Sequence, residues 1–204
     1  MKPALARRAG PLAAFCNGVD LLTEKISGLA AAAVLAACLI SAGNAVVRYG
    51  WDTSSNAWLE IQWYLFATTV MLGAPHVLRR NEHVRVDILY SRLPGRWAVI
   101  VDIAGLALFL LPVMALLTAL SWPVFARGFS SGEVSSNAGG LVRWPALLLL
   151  PVGFALVGLQ GVAEIIKRIL LLRAGGGSAA TADVPAGPGA APAADPAPYQ
   201  KPLQ

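Results

Sequence analysis

Apolar positions in this chain arrive in long unbroken blocks. Ile26–Val47 runs 22 residues without a charge, Ile61–Leu78 runs 18, Ile103–Ala126 runs 24 and Trp144–Ala163 runs 20. A bilayer core about 30 Å thick needs about 20 helical residues at about 1.5 Å each, so each block predicts one membrane-crossing helix. Lipid offers no partner for backbone N–H and C=O groups, and helices satisfy them internally. The predicted spans are about 26–48, 59–78, 99–125 and 144–166. The fold class expected is therefore an all-α integral membrane protein with four transmembrane helices. A soluble bundle would instead scatter its charges periodically through each helix.

The segments between the blocks carry their own patterns. Leu12, Phe15, Val19, Leu22 and Ile26 recur at spacings of three and four, with Asn17, Asp20, Glu24 and Lys25 off that stripe. This predicts an N-terminal amphipathic helix within residues 1–25, lying along a membrane interface; a cytoplasmic extension of span one fits the same pattern. Between spans two and three, Val86, Leu89, Tyr90 and Leu93 mark one face ending at Pro94-Gly95, which predicts a short interfacial helix. From Ala174 to Gln204 the chain is mostly Gly, Ala and Pro, a composition expected to stay disordered as a cytoplasmic tail. The domain organisation expected is thus 1–25, a four-helix membrane domain over 26–173, and the tail 174–204.

Charge then orients the spans. Only 13% of the 204 residues are charged, yet six ionisable groups occupy positions 79–87 around the stretch NEHVRVDIL. Lys2, Arg7, Arg8 and Lys25 precede span one; Arg79, Arg80, Arg85, Arg92 and Arg96 lie between spans two and three; Lys167, Arg168 and Arg173 follow span four. The other two connections hold Arg48 in one, and Arg127 and Arg143 in the other. Lys and Arg gather in cytoplasmic loops, so both termini and the 79–96 loop are expected inside. The net charge of +5 accordingly points to the membrane rather than to nucleic acid. The start MKPALARRAG has the charge of a secretory signal, but the apolar block that follows is too long for one, and span one is expected to be retained. Trp51, Trp58 and Trp63 are expected at the outer headgroup layer, and Trp97 and Trp144 at the starts of spans three and four.

Little in the sequence suggests a reaction centre. An intramembrane haem would need paired histidines, and the chain has His76 and His83, the second outside the spans. Cys16 and Cys38 make no metal pattern, no glycine loop cradles phosphate, and no carboxylate pair shares a mid-membrane face. No cofactor is expected and no enzymatic activity. Glu60 and Asp102 stand near the ends of spans two and three, where a carboxylate faces protein, water or headgroups because burial in lipid costs about 2.5–3.5 kcal/mol.

In order along the chain stand Glu60, HVRVD at His83–Asp87, Leu93-Pro94, Asp102, GE-x-S at Gly132–Ser135, GGL at Gly139–Leu141, Trp144-Pro145, Pro151, Gly153-Phe154 and LQG at Leu159–Gly161. This series resembles the small membrane subunit, of the DctQ type, of tripartite ATP-independent periplasmic (TRAP) transporters. The likeness covers roughly Ala13–Arg173 and rests most on HVRVD following an apolar span. The chain departs from the pattern at Val142, where a proline often stands, and at Leu147, where a lysine often stands. Both bear on partner contact at the start of span four.

The resemblance implies a place in the bacterial inner membrane and a division of labour. A periplasmic binding protein would deliver a small solute, commonly an organic acid. A large membrane subunit would carry the substrate and sodium sites and do the moving. The small permease subunit would be their scaffold. Glu60, His83, Arg85, Asp87, Asp102, Glu133 and Gln160 are then the candidate contacts to a partner or interface. The partners implied are the large subunit, the binding protein through the assembled complex, and membrane lipids. The alternative is a freestanding four-span protein, such as a lipid-modifying enzyme or an assembly factor.

Overall fold

The computed structural model describes residues 10–53, 55–80, 95–137 and 139–173. Four helices account for nearly all of them: α1 (Pro11–Trp51), α2 (Asn56–Arg80), α3 (Arg96–Ser130) and α4 (Trp144–Arg173). Among the described residues there is no strand, and the single bridge Val134–Val142 pinches the loop between α3 and α4. Helices α1, α3 and α4 are long and apolar enough to cross a membrane. The expected second span, over α2, falls short of that level because Gln62, Tyr64, Thr68, Thr69 and His76 dilute its apolar residues.

The expected amphipathic helix at the N-terminus does not exist as a separate element. α1 runs unbroken for 41 residues, about 60 Å, and carries the Leu12–Ile26 stripe and the first apolar block on one axis. The physical reason is in the residues: no proline stands between Lys25 and Leu29, and the face that packs on α4 is Cys16, Val19 and Thr23, of which only Val19 belongs to the stripe, while Leu12, Phe15 and Leu22 stay exposed. Buried Cys16 and Val19 meet Ala163, with Leu159 and Ile166 packed around them. The expected interfacial helix, and with it HVRVD, lies outside the described residues, as does the Ala174–Gln204 tail.

α2 lies between α1 and α4, and α3 packs chiefly on α4. Close approach is bought with small residues. The Thr69 hydroxyl sits 3.5 Å from the Ala30 carbonyl, and a methyl added at Gly73 would lie 3.8 Å from Ala30 Cβ. At Gly153 an added Cβ would fall 2.7 Å from Met71 Cβ and 3.1 Å from the Met71 carbonyl oxygen. Pro75 explains why that carbonyl is there to be approached: its ring nitrogen cannot donate to the oxygen four residues earlier. Small residues at such crossings replace the hydrophobic drive that lipid does not supply. In α3 the ladder widens to a π-helical turn at Leu106–Leu110, opposite Gly161, where an added Cβ would meet Leu110 Cδ2 at 2.6 Å. The hydroxyls of Thr68, Thr118 and Ser121 each bond the carbonyl four residues back, so they enter the helices already satisfied.

Candidate functional site

Two polar constructions sit at opposite ends of this bundle. The larger joins all four helices. Gln160 of α4, wholly buried, accepts from the Thr23 hydroxyl at 2.7 Å. Its amide nitrogen donates to Asp20 at 3.0 Å and to Glu164 at 3.2 Å. Lys167 reaches both carboxylate oxygens of Asp20, at 2.8 and 3.0 Å, and Glu164 at 2.5 Å. Arg79 at the end of α2 donates to Glu24 at 2.8 Å and to the Asp20 carbonyl at 3.2 Å. Arg168 bonds Glu164 at 3.0 Å on its own helix and Asp102 of α3 at 3.3 Å.

Local periodicity prepares this cluster. Gln160, Glu164 and Arg168 follow at spacings of four on one face of α4, and Asp20 and Glu24 do the same on α1. Four carboxylates (Asp20, Glu24, Asp102, Glu164) meet three cations (Arg79, Lys167, Arg168), so the charges largely cancel within the chain. Buried charges persist when they are paired and hydrogen-bonded.

At the other end, the residues between α3 and α4 close onto Glu60. This carboxylate accepts from the Asn137 amide at 2.8 Å and the Leu141 backbone N–H at 2.7 Å, and it is 4% exposed. Backbone geometry makes that possible. Gly132 and Gly139 hold φ of 62° and 72°, the left-handed region that side chains resist. At Gly140 a Cβ would sit 2.6 Å from Ser135 Cβ. Ser135 N–H donates to the Leu141 carbonyl at 2.9 Å, Tyr64 donates to the Val142 carbonyl at 3.2 Å, and Arg143 pairs with Glu133. The GE-x-S and GGL stretches are thus the two sides of one clasp.

Of the seven residues singled out from sequence, Asp102 and Gln160 come together in the first cluster, and Glu60 and Glu133 in the second. His83, Arg85 and Asp87 lie outside the described residues. Asp20, Thr23, Glu24, Arg79, Glu164, Lys167 and Arg168 were not singled out as site residues. The spacing of four on α1 and α4 was the available signal. Among the described residues, no grouping of His, Cys, Asp and Glu could hold a metal ion.

Comparison with known proteins matches residues 37–171 to the family described as tripartite ATP-independent periplasmic transporters, DctQ component. A Haemophilus influenzae protein, provisionally named a TRAP transporter small permease protein, is 39% identical over 51 residues, 25% of this chain and 32% of that relative. The match therefore spans about a third of the relative's own length. No solved structure matches. The family match takes in parts or all of the four helices described above and spans well over half of the sequence. The chain belongs to the DctQ-component family of tripartite ATP-independent periplasmic (TRAP) transporters, a family of multi-pass membrane proteins and not of enzymes.

Proposed function

We propose that this subunit is the stationary support of its transporter, holding a large membrane subunit in place while that partner takes up an organic acid or similar small solute with sodium. A periplasmic binding protein delivers the solute to the assembled pair. The observation that carries the reading is the placement of polar side chains: they knot helix to helix at both ends of the bundle. Such knots resist sliding between helices, which suits a support and would hinder a moving element.

In this reading α2 is the fourth span. Its 25 residues rise about 37 Å, enough for a bilayer core, and it packs between two helices that are themselves long enough to cross. The charged end, with Arg79, Lys167 and Arg168, faces the cytoplasm, so both termini and the tail 174–204 are cytoplasmic. Residues 26–173 form the membrane domain. His83, Arg85 and Asp87 are the partner-facing contacts. Glu60, Asp102, Glu133 and Gln160 serve the interface by fixing the helices and loop that build it.

The test is complex yield and apparent substrate KM in the assembled transporter for Arg85→Lys, Arg85→Ala and Asp87→Ala. A guanidinium engages a carboxylate or phosphate bidentately, which lysine does not copy. Lower yield at unchanged KM supports a support role. A raised KM at normal yield would mean that this segment touches the transport cycle.

A further inference from the structure

The charged end of the bundle sorts its ions by sign. Its four carboxylates, Asp20, Glu24, Asp102 and Glu164, are all paired, by Arg79, Lys167 and Arg168. Lys25, Arg80, Arg96 and Arg173 stand exposed at the same end, which leaves three positive charges over. The segments outside the described residues, counted by sequence, add six cations and four carboxylates, so the surplus stands. At the opposite end Arg48, Arg127 and Arg143 balance Asp52, Glu60 and Glu133. Among the described residues, the Lys25, Arg96 and Arg173 side chains make no ion pair or hydrogen bond.

Two of these three cations flank the α3–α4 seam. Asp102 of α3 pairs with Arg168 of α4. Arg96 stands six residues before Asp102, and Arg173 five residues after Arg168 on the antiparallel neighbour. Both therefore lie about 7–9 Å beyond that pair, toward the same end. Trp97 beside Arg96 is 58% exposed, as rings are at a headgroup layer, and Ile169 and Leu171 are exposed apolar neighbours on α4.

We propose that this seam is a docking surface for an anionic phospholipid. A guanidinium engages phosphate oxygens bidentately, and neither arginine has a partner among the described residues to surrender for it. The lipid's net negative charge complements the surplus of cations at this end. A zwitterionic headgroup offers the same phosphate together with an ammonium, which a cationic rim repels. Each basic group near an anionic surface strengthens binding about fivefold, so two arginines set the scale of the preference.

The experiment is native mass spectrometry of the full chain in detergent, offered phosphatidylglycerol, phosphatidylethanolamine and phosphatidylcholine of matched acyl chains at equal concentration. Phosphatidylglycerol should be retained about five- to twenty-fivefold over the other two. The double variant Arg96→Gln, Arg173→Gln should lower that retention at least about fivefold at unchanged Tm, since neither side chain holds the fold. Arg127→Gln, at the balanced end, should leave it as it was. Equal retention of the three lipids, an intact preference in the double variant, or an equal loss in Arg127→Gln would each overturn the proposal. Should the double variant fail to fold, Arg173→Gln alone, at the last residue of α4, still decides.

Discussion

Arg168→Ala removes the side chain through which α4 holds α3 at the charged end. Arg168 is 8% exposed and bonds Glu164 at 3.0 Å and Asp102 at 3.3 Å, both of them shielded themselves. Truncation leaves two carboxylates with less compensation in a place water reaches poorly. Breaking a buried pair from one side costs about 3–5 kcal/mol, about two to four powers of ten in the folding equilibrium. For a chain of this size that is a fall of about 6–20 °C in Tm. Arg143→Ala is the matched control, because the Glu133–Arg143 pair has side chains 44% and 49% exposed. An exposed pair is worth about 0–1 kcal/mol, so the control should shift Tm by less than about 4 °C. The assay is thermal unfolding of the purified chain in one detergent, followed by tryptophan fluorescence. A double-mutant cycle with Asp102→Ala isolates the part carried across the helix boundary. If Arg168→Ala loses no more than Arg143→Ala, the cluster does not hold the helices and the reasoning fails.

Three further outcomes follow from the packing and the charge pattern. Gly153→Ala should destabilise the chain by about 1–3 kcal/mol, since its Cβ would meet the α2 backbone at Met71, whereas Gly43→Ala, with open space around it, should be neutral or slightly stabilising; equal Tm values for the two would contradict the α2–α4 contact. Gly139→Ala, at φ 72°, should strain the clasp by about 1–2 kcal/mol and speed tryptic cleavage at Arg143, so an unchanged cleavage rate would show that the loop does not need that conformation. A fluorescent reporter fused at the C-terminus should glow and a periplasm-dependent phosphatase fused there should stay inactive; an active phosphatase would reverse the proposed orientation.

Much of the helix content was legible in the sequence because lipid imposes it locally. An uncharged block of 18 to 24 residues can do little else, and the described parts of all four blocks are helical. The N-terminal stripe misled for the opposite reason. Apolar spacing does not say which face meets a neighbour: of the stripe only Val19 is buried, with Cys16 and Thr23, against α4, while Leu12, Phe15 and Leu22 stay exposed. What decided it was Ala163, 147 residues from Cys16, whose carbonyl the thiol reaches at 3.6 Å. The charge cluster was hidden in the same way. Asp20 reads as the polar face of one helix and Lys167 as the flank of another, and nothing in either neighbourhood pairs them. The clasp was half visible: Glu60, GE-x-S and GGL were picked out together, but only the left-handed glycines show why they meet.

The central claim, that this subunit supports transport without performing it, is tested most directly in proteoliposomes. The chain alone, a large TRAP membrane subunit alone, and the two together are each given the periplasmic binding protein, an inward sodium gradient and labelled substrate. The account predicts uptake from the pair and none from this chain by itself. Sodium-driven uptake by the chain alone would contradict it, and full uptake by the large subunit without this chain would show that no support is required.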